Sequence, residues 1–246
     1  MKTQFIELAN EGVSLTAYIL DSSPELSNWE KRPAVLVIPG GAYKFCSDRE
    51  AEPIAMAFCA RGYNAFVLRY SIGEGKAAFP RPLDDAKQAL AMIREKADEW
   101  NIEVDKIAAI GFSAGGHLCA ALSAMSDIKP NASILCYPCI LESMSSILAE
   151  PIPSVDAYVD ANTPPTFIVS SREDGAVPIE NSLRYADALE KAGVDFEMHI
   201  YAKGHHGFSL ANSVVYSHMD ALEYNKHLSG WFDICMMWLN KTFGIK

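Results

Sequence analysis

The chain has 246 residues, 50% of them hydrophobic and 21% charged, a composition with ample material for a buried core and too little charge for a disordered chain. Its 31 acidic side chains outnumber 21 basic ones, for a net charge of −10. No Lys/Arg cluster is available to release counterions from a polyanion, so nucleic acid and anionic membrane surfaces are excluded and a small or neutral partner is expected.

The first segment, Met1 to Leu8, lacks the apolar run of a signal peptide, and a cytoplasmic location is expected. Strands are predicted at Thr3–Leu8 and Val13–Leu20, forming an antiparallel hairpin across Asn10-Glu-Gly12. A buried strand at Ala34–Ile38 follows. Ser47-Asp-Arg-Glu50 reads as a capping box opening a helix that tolerates Pro53 in its first turn and ends at Arg61, before Gly62. After a strand at Asn64–Arg69, Asp84 or Asp85 is expected to cap a helix running to about Trp100, with Ala86, Ala89, Leu90, Ile93 and Ala97 as its apolar stripe.

The weakly polar stretch Ile107–Met125 is interrupted by Ser113, Gly115, Gly116 and His117, and reads as strand, turn and helix rather than a membrane span. Its strand is predicted at Ile107–Ile110. Further strands are expected at Ala132–Tyr137, Thr166–Ser171 and Phe196–Tyr201, with helices at Ile179–Ala192 and Trp231–Thr242. Leu141–Pro165, with four prolines, reads as a surface excursion able to shape a pocket. Strands alternating with helices imply an α/β fold on a parallel or mixed sheet. Without repeat, low-complexity tract or Gly/Ser linker, residues 1–246 are expected to form one domain.

The six cysteines are spread along a chain large enough to fold without disulfides. Cys136-Tyr-Pro-Cys139 has C-x-x-C spacing, but no second metal-ligand pair follows, and Cys136 closes an apolar run as a buried strand residue does. A structural role is expected, with no metal and no cofactor.

Gly111-Phe-Ser113-Ala-Gly115 lies between a buried strand and an Ala/Leu-rich helix. That context places Ser113 on a tight strand-to-helix turn with its hydroxyl at the helix N-terminus. A serine hydroxyl needs a base to take its proton and a carboxylate to orient that base. Asp174 follows the strand Thr166–Ser171, with Glu173 as an alternative. His206 follows Phe196–Tyr201, with His205 beside it. Pro39-Gly40-Gly41-Ala42-Tyr43 follows the strand Ala34–Ile38 and suits an oxyanion hole, with the N–H groups of Gly41 and Ala114 as donors and Gly40 and Ala42 beside them.

The order Pro39-Gly-Gly-Ala-Tyr, Cys46-Ser-Asp-Arg-Glu50, Gly111-Phe-Ser-Ala-Gly-Gly-His117, Pro164-Pro-Thr-Phe167, Asp174-Gly-Ala-Val-Pro178 and Gly204-His-His-Gly-Phe208 resembles the α/β-hydrolase esterases of the acetyl xylan esterase and carbohydrate acetylesterase type. The resemblance spans Ala34 to Trp238. Pro39 stands where related lipases carry the histidine of H-G-G-G. The resemblance implies an α/β-hydrolase fold with little or no cap, and Ser113 as nucleophile, Asp174 as acid and His206 as base.

Together these readings lead to a serine carboxylic-ester hydrolase acting on a small-molecule or oligosaccharide ester, with acetyl removal from sugars expected. Tyr43, Phe45, Tyr70, Phe112 and Phe208 lie near the motifs as candidates for stacking on a sugar face, although core packing is the commoner use of such aromatics. The same triad serves peptidases, thioesterases and lactonases, and a catalytically silent binding scaffold is a further alternative. Homodimer formation is left open.

Overall fold

A computed structural model of the chain describes residues 1–26, 29–216 and 226–245. Among the described residues, eight strands form one sheet: β1 (Lys2–Glu7), β2 (Ser14–Ile19), β3 (Arg32–Ile38), β4 (Asn64–Arg69), β5 (Ile102–Phe112), β6 (Ala132–Cys136), β7 (Thr166–Ser171) and β8 (Phe196–Tyr201). Their spatial order is β1-β2-β4-β3-β5-β6-β7-β8. β1 and β2 form the expected hairpin, Lys2 opposite Ile19 and Glu7 opposite Ser14, and β2 pairs antiparallel with β4. From β4 to β8 every pairing is parallel.

Parallel strands need crossovers, and here these are helices that cover both sheet faces. The helices are α1 (Glu52–Cys59), α2 (Arg81–Glu95), α3 (Ala114–Ala124), α4 (Glu180–Ala192), α5 (Lys226–Ser229) and α6 (Trp231–Thr242). Apolar residues of α2, α3 and α4 pack with Leu36, Ile38, Ile107 and Ala109 on one face. Those of α1 and α6 pack with Val35, Val37, Ala108 and Ile110 on the other. Successive residues of β3 and β5 thus enter opposite cores, the period-two consequence of a strand buried on both sides. Among the described residues, no helix is long and apolar enough to cross a membrane.

Three local expectations are corrected. β5 begins at Ile102 rather than Ile107, because the charged stretch Glu103–Lys106 forms an irregular, partly exposed excursion in the pairing with β3 and only then enters the core. The Ser47 capping box is not formed: Ser47 makes no side-chain cap bond, and Glu50, only 2% exposed, turns inward. α1 itself starts at Glu52 and stops at Cys59, two residues short of Arg61.

Neither Asp84 nor Asp85 caps α2, which starts earlier at Arg81 and ends at Glu95 rather than near Trp100. Asp85 is buried and accepts hydrogen bonds from the Ser71 N–H at 2.8 Å and the Asn10 side-chain amide at 2.6 Å. It joins the hairpin loop to the segment after β4.

Candidate active site

The parallel strands β3, β5, β7 and β8 all end on one edge of the sheet, and the loops leaving them meet there. Ser113 follows β5 immediately, at φ 53° and ψ −118°, a conformation that costs a residue with a Cβ of order 1–3 kcal/mol and persists only where neighbours impose it. Its N–H donates to the Cys136 carbonyl at 3.0 Å, and its own carbonyl accepts from Cys139 at 3.0 Å and His117 at 3.1 Å. The turn also needs bare backbone around it. A Cβ on Gly111 would lie 2.2 Å from the Gly115 carbonyl oxygen, and one on Gly115 would lie 2.2 Å from that of Ile38. The result is a serine Oγ held above the sheet at the N-terminus of α3.

Ser113 Oγ–H donates to His206 Nε2 at 2.8 Å, and His206 Nδ1–H donates to Asp174 Oδ2 at 2.7 Å. Asp174 Oδ1 accepts from the N–H groups of Ala176 and Val177, each at 2.9 Å. Three donors and near-complete burial, with the Asp174 side chain 2% exposed, leave that carboxylate one orientation. Glu173 instead forms a surface ion pair with Lys203. His205 Nδ1–H donates to the His206 carbonyl at 2.6 Å. The structure thus brings Asp174 and His206 to Ser113, and turns Glu173 and His205 elsewhere.

The glycine loop after β3 faces Ser113. Among the described residues, the N–H groups of Gly41, Ala42 and Ala114 meet no intramolecular acceptor, so they are available to an oxygen at Ser113. Gly40 is a correction. Its N–H is already donated to Glu50 Oε2 at 2.9 Å and is not free for a substrate. Gly41 has φ +130°, and a Cβ there would lie 2.0 Å from the Phe45 carbonyl oxygen. Only glycine fits.

A cleft of about 220 Å³ opens over Ser113 and His206, walled by Phe45, Arg49, Cys139, Ile147, Leu148 and Ala176. Ile147 and Leu148 belong to the proline-rich excursion, which is fastened in place: Ala149 N–H donates to the Ala42 carbonyl at 2.9 Å, and Val155 N–H to that of Ile140 at 3.0 Å. The excursion forms a wall of the pocket. Cys139 Sγ lies 4.0 Å from Ser113 Oγ, and burial pushes its thiol up to about 12, so it is a neutral wall. Cys136 is buried beneath the site, and neither thiol forms a disulfide.

Of the five aromatics considered for sugar stacking, Tyr43, Tyr70, Phe112 and Phe208 are buried and none of these four lines the cleft, a second correction. Tyr43 O–H donates to His117 Nδ1 at 2.8 Å and Tyr70 O–H to the Pro39 carbonyl at 2.7 Å. Phe112 and Phe208 pack on the Tyr137 ring, with centroids 5.9 Å and 4.5 Å away. The aromatic ring at the cleft is Phe45, 57% exposed.

Two residues of the site escaped sequence reasoning. Glu50 looked like a capping residue and Tyr137 like the end of a strand. In the fold, Tyr137 O–H donates to Glu50 Oε1 at 2.7 Å beneath His206. Burial raises the Glu50 carboxyl above its ordinary range, opposed by its bonds from Tyr137 and Gly40.

Comparison with known proteins agrees with this architecture. The BD-FAE family matches residues 23–143 and the prolyl oligopeptidase family residues 148–231. The chain is 36% identical to endo-1,4-beta-xylanase B of Butyrivibrio fibrisolvens, over 79% of this chain and 35% of that protein. It is 31% identical to an acetylxylan esterase of Xylanibacter ruminicola, over 71% and 41%. It thus spans well under half the length of these two relatives. A crystal structure of an α/β-hydrolase enzyme from a Medee basin deep-sea metagenome library superposes with TM-score 0.92 at 43% identity, covering 98% of both chains. The chain belongs to the α/β-hydrolase family and is related to an acetylxylan esterase.

Proposed function

We propose that the chain hydrolyses short-acyl esters, acetyl groups on sugars or oligosaccharides above all, through a covalent acyl-enzyme on Ser113. The observation that carries this reading is the continuous hydrogen-bond path Ser113–His206–Asp174 at the floor of a cleft of about 220 Å³. That volume suits a small acyl group, with the alcohol portion left at the mouth beside Phe45 and Arg49. The acetylxylan esterase among the relatives supports the same substrate class.

In the first step His206 Nε2 takes the Ser113 proton as Oγ attacks the ester carbonyl carbon. The tetrahedral oxyanion is received by the N–H groups of Gly41 and Ala114, with Ala42 adjacent. Asp174 stabilises the imidazolium by accepting from Nδ1–H. His206 then returns the proton to the departing alcohol oxygen as the C–O bond breaks. Water, deprotonated by the same imidazole, attacks the acyl-enzyme and releases the carboxylic acid and Ser113.

The test compares wild type and Ser113→Ala on p-nitrophenyl esters of increasing acyl length, with acetate release from acetylated xylo-oligosaccharides followed in parallel. Activity falling with acyl length, sugar deacetylation, and loss of both in the variant support the reading. Full activity in the variant overturns the triad, and absence of sugar deacetylation overturns the substrate class. A second reading, an acyl-amide substrate, draws on the prolyl oligopeptidase match over residues 148–231, and hydrolysis of aminoacyl p-nitroanilides in preference to esters would favour it.

A further inference from the structure

We propose that Glu50 is a positioning residue that, together with Tyr137, ties the oxyanion loop to the loop carrying His206 and sets a fixed negative charge behind the imidazole. The proposal rests on the reading of Ser113, Asp174 and His206 as the reacting groups.

The connections are specific. Glu50 Oε2 accepts from the N–H of Gly40, the residue before the oxyanion donor Gly41. Oε1 accepts from Tyr137 O–H at 2.7 Å, and the same phenolic oxygen accepts from the Ser209 N–H at 3.0 Å, three residues past His206. Ser209 is held in turn: its hydroxyl donates to the Arg49 carbonyl at 2.6 Å, and its carbonyl accepts from Trp231 Nε1–H at 2.8 Å. The Tyr137 ring meets the His206 ring edge-on, with centroids 5.1 Å apart. One buried carboxylate therefore reaches both the loop that receives the oxyanion and the loop that moves the proton.

Both oxygens of Glu50 accept from donors, which favours the ionised carboxylate against the burial that opposes it. The charged and titratable groups around it are Arg49, His206, Tyr137, Tyr70 and Cys136. Of these, Arg49 and the His206 imidazolium are the cations. Burying a carboxylate opposes folding, so a gain in stability is not what Glu50 supplies. What it supplies is geometry and charge at the moment His206 becomes imidazolium.

The experiment compares wild type, Glu50→Gln, Tyr137→Phe and Ser113→Ala on p-nitrophenyl acetate, with kcat, KM and the pH dependence of kcat/KM measured on protein shown to be folded by near-ultraviolet circular dichroism. Glutamine keeps the shape and an acceptor for Gly40 but removes the charge. Glu50→Gln is expected to lower kcat by about tenfold or more, less than the 10²–10³-fold cost of deleting an oxyanion donor outright, with KM within about threefold of wild type. The acid limb of kcat/KM should move to lower pH, because the imidazolium loses a nearby negative charge. Tyr137→Phe keeps the ring packing, cuts the link and should also lower kcat; it decides the matter if Glu50→Gln does not fold.

Folded Glu50→Gln and Tyr137→Phe with wild-type kcat and an unshifted acid limb would overturn the proposal while an inactive Ser113→Ala left the triad standing. A fully active Ser113→Ala would overturn both together.

Discussion

His117, one turn of helix beyond Ser113, donates its Nε2–H to the carbonyl oxygen of Pro153 across 3.0 Å. The contact fastens the proline-rich wall of the cleft to the helix beneath the nucleophile. Since Nε2 carries the proton, Nδ1 is free to accept from Tyr43 O–H in the oxyanion loop. A single neutral imidazole thus joins three segments of the site.

Burial lowers the His117 pKa from 6.5 to about 4, so folding favours the neutral ring. Its contribution to stability is complete above the unfolded pKa and is lost as pH falls from about 6.5 towards 4, an effect of roughly 3 kcal/mol at full burial. His117→Gln keeps a donor for Pro153 and does not titrate. The expected outcome is a Tm that falls less between pH 7 and pH 4 in the variant than in wild type. Parallel Tm curves would show that His117 does not govern acid stability.

Glu50 has the opposite sign. Its folded pKa is raised above 4.5 by burial, so the folding penalty of its ionisation is absent below the unfolded value and grows as pH rises through the folded one. The difference Tm(Glu50→Gln) minus Tm(wild type) should therefore grow from pH 4 to pH 8. Differential scanning calorimetry across that range checks it, and a difference that shrinks as pH rises would contradict the assignment.

Ser113→Ala removes the attacking oxygen, and kcat for ester hydrolysis should fall on the order of 10⁶-fold, as it does when the serine of a cooperating triad is deleted. Because the hydroxyl is small and the turn is held by backbone bonds, Tm should move little. Stopped-flow and endpoint assays bracket the loss.

Gly41→Ala forces a Cβ against the Phe45 carbonyl oxygen in a φ +130° conformation. The loop must shift, and with it the donor. A fall of about 10²–10³-fold in kcat is expected, whereas Gly175→Ala, at a φ and a site where nothing lies within 4 Å of the new Cβ, should leave kcat within about threefold. Equal rates in wild type and Gly41→Ala would remove Gly41 from the oxyanion hole.

Leu148→Ala deepens the cleft wall formed by Leu148 and Ile147. Each methylene accommodated in an apolar pocket changes selectivity by about 1–3 kcal/mol. The ratio of kcat/KM for butyrate over acetate p-nitrophenyl esters should rise at least about tenfold. An unchanged ratio would place the acyl chain elsewhere.

The two carboxylates misassigned from sequence share one cause. Glu50 and Asp85 both stand where helix caps are expected, beside Ser47 and at the start of an apolar stripe, and acidic side chains at such positions commonly bond to nearby backbone. In the fold each is buried and bonds across elements instead, Glu50 to Gly40 and Tyr137, Asp85 to Ser71 and Asn10. Local pattern does not reveal a partner supplied from elsewhere in the chain. The aromatics Tyr43, Tyr70, Phe112 and Phe208 went the same way, because nearness to a motif in sequence says nothing about which side of a loop faces the cleft.

The sequence by itself determined the alternation of strands and helices, the glycine turn around Ser113, and the order in which serine, carboxylate and histidine follow their strands. These are properties of neighbouring residues, set by side-chain period and backbone sterics. The resemblance carried by the sequence also put Asp174 ahead of Glu173 and His206 ahead of His205; tertiary structure alone decided the contacts these side chains make, that Gly40 gives its N–H to Glu50, and that Ile147 and Leu148 wall the cleft. Those contacts depend on where loops separated by up to 160 positions converge on one sheet edge, and burial and hydrogen bonding set them only after that edge has formed.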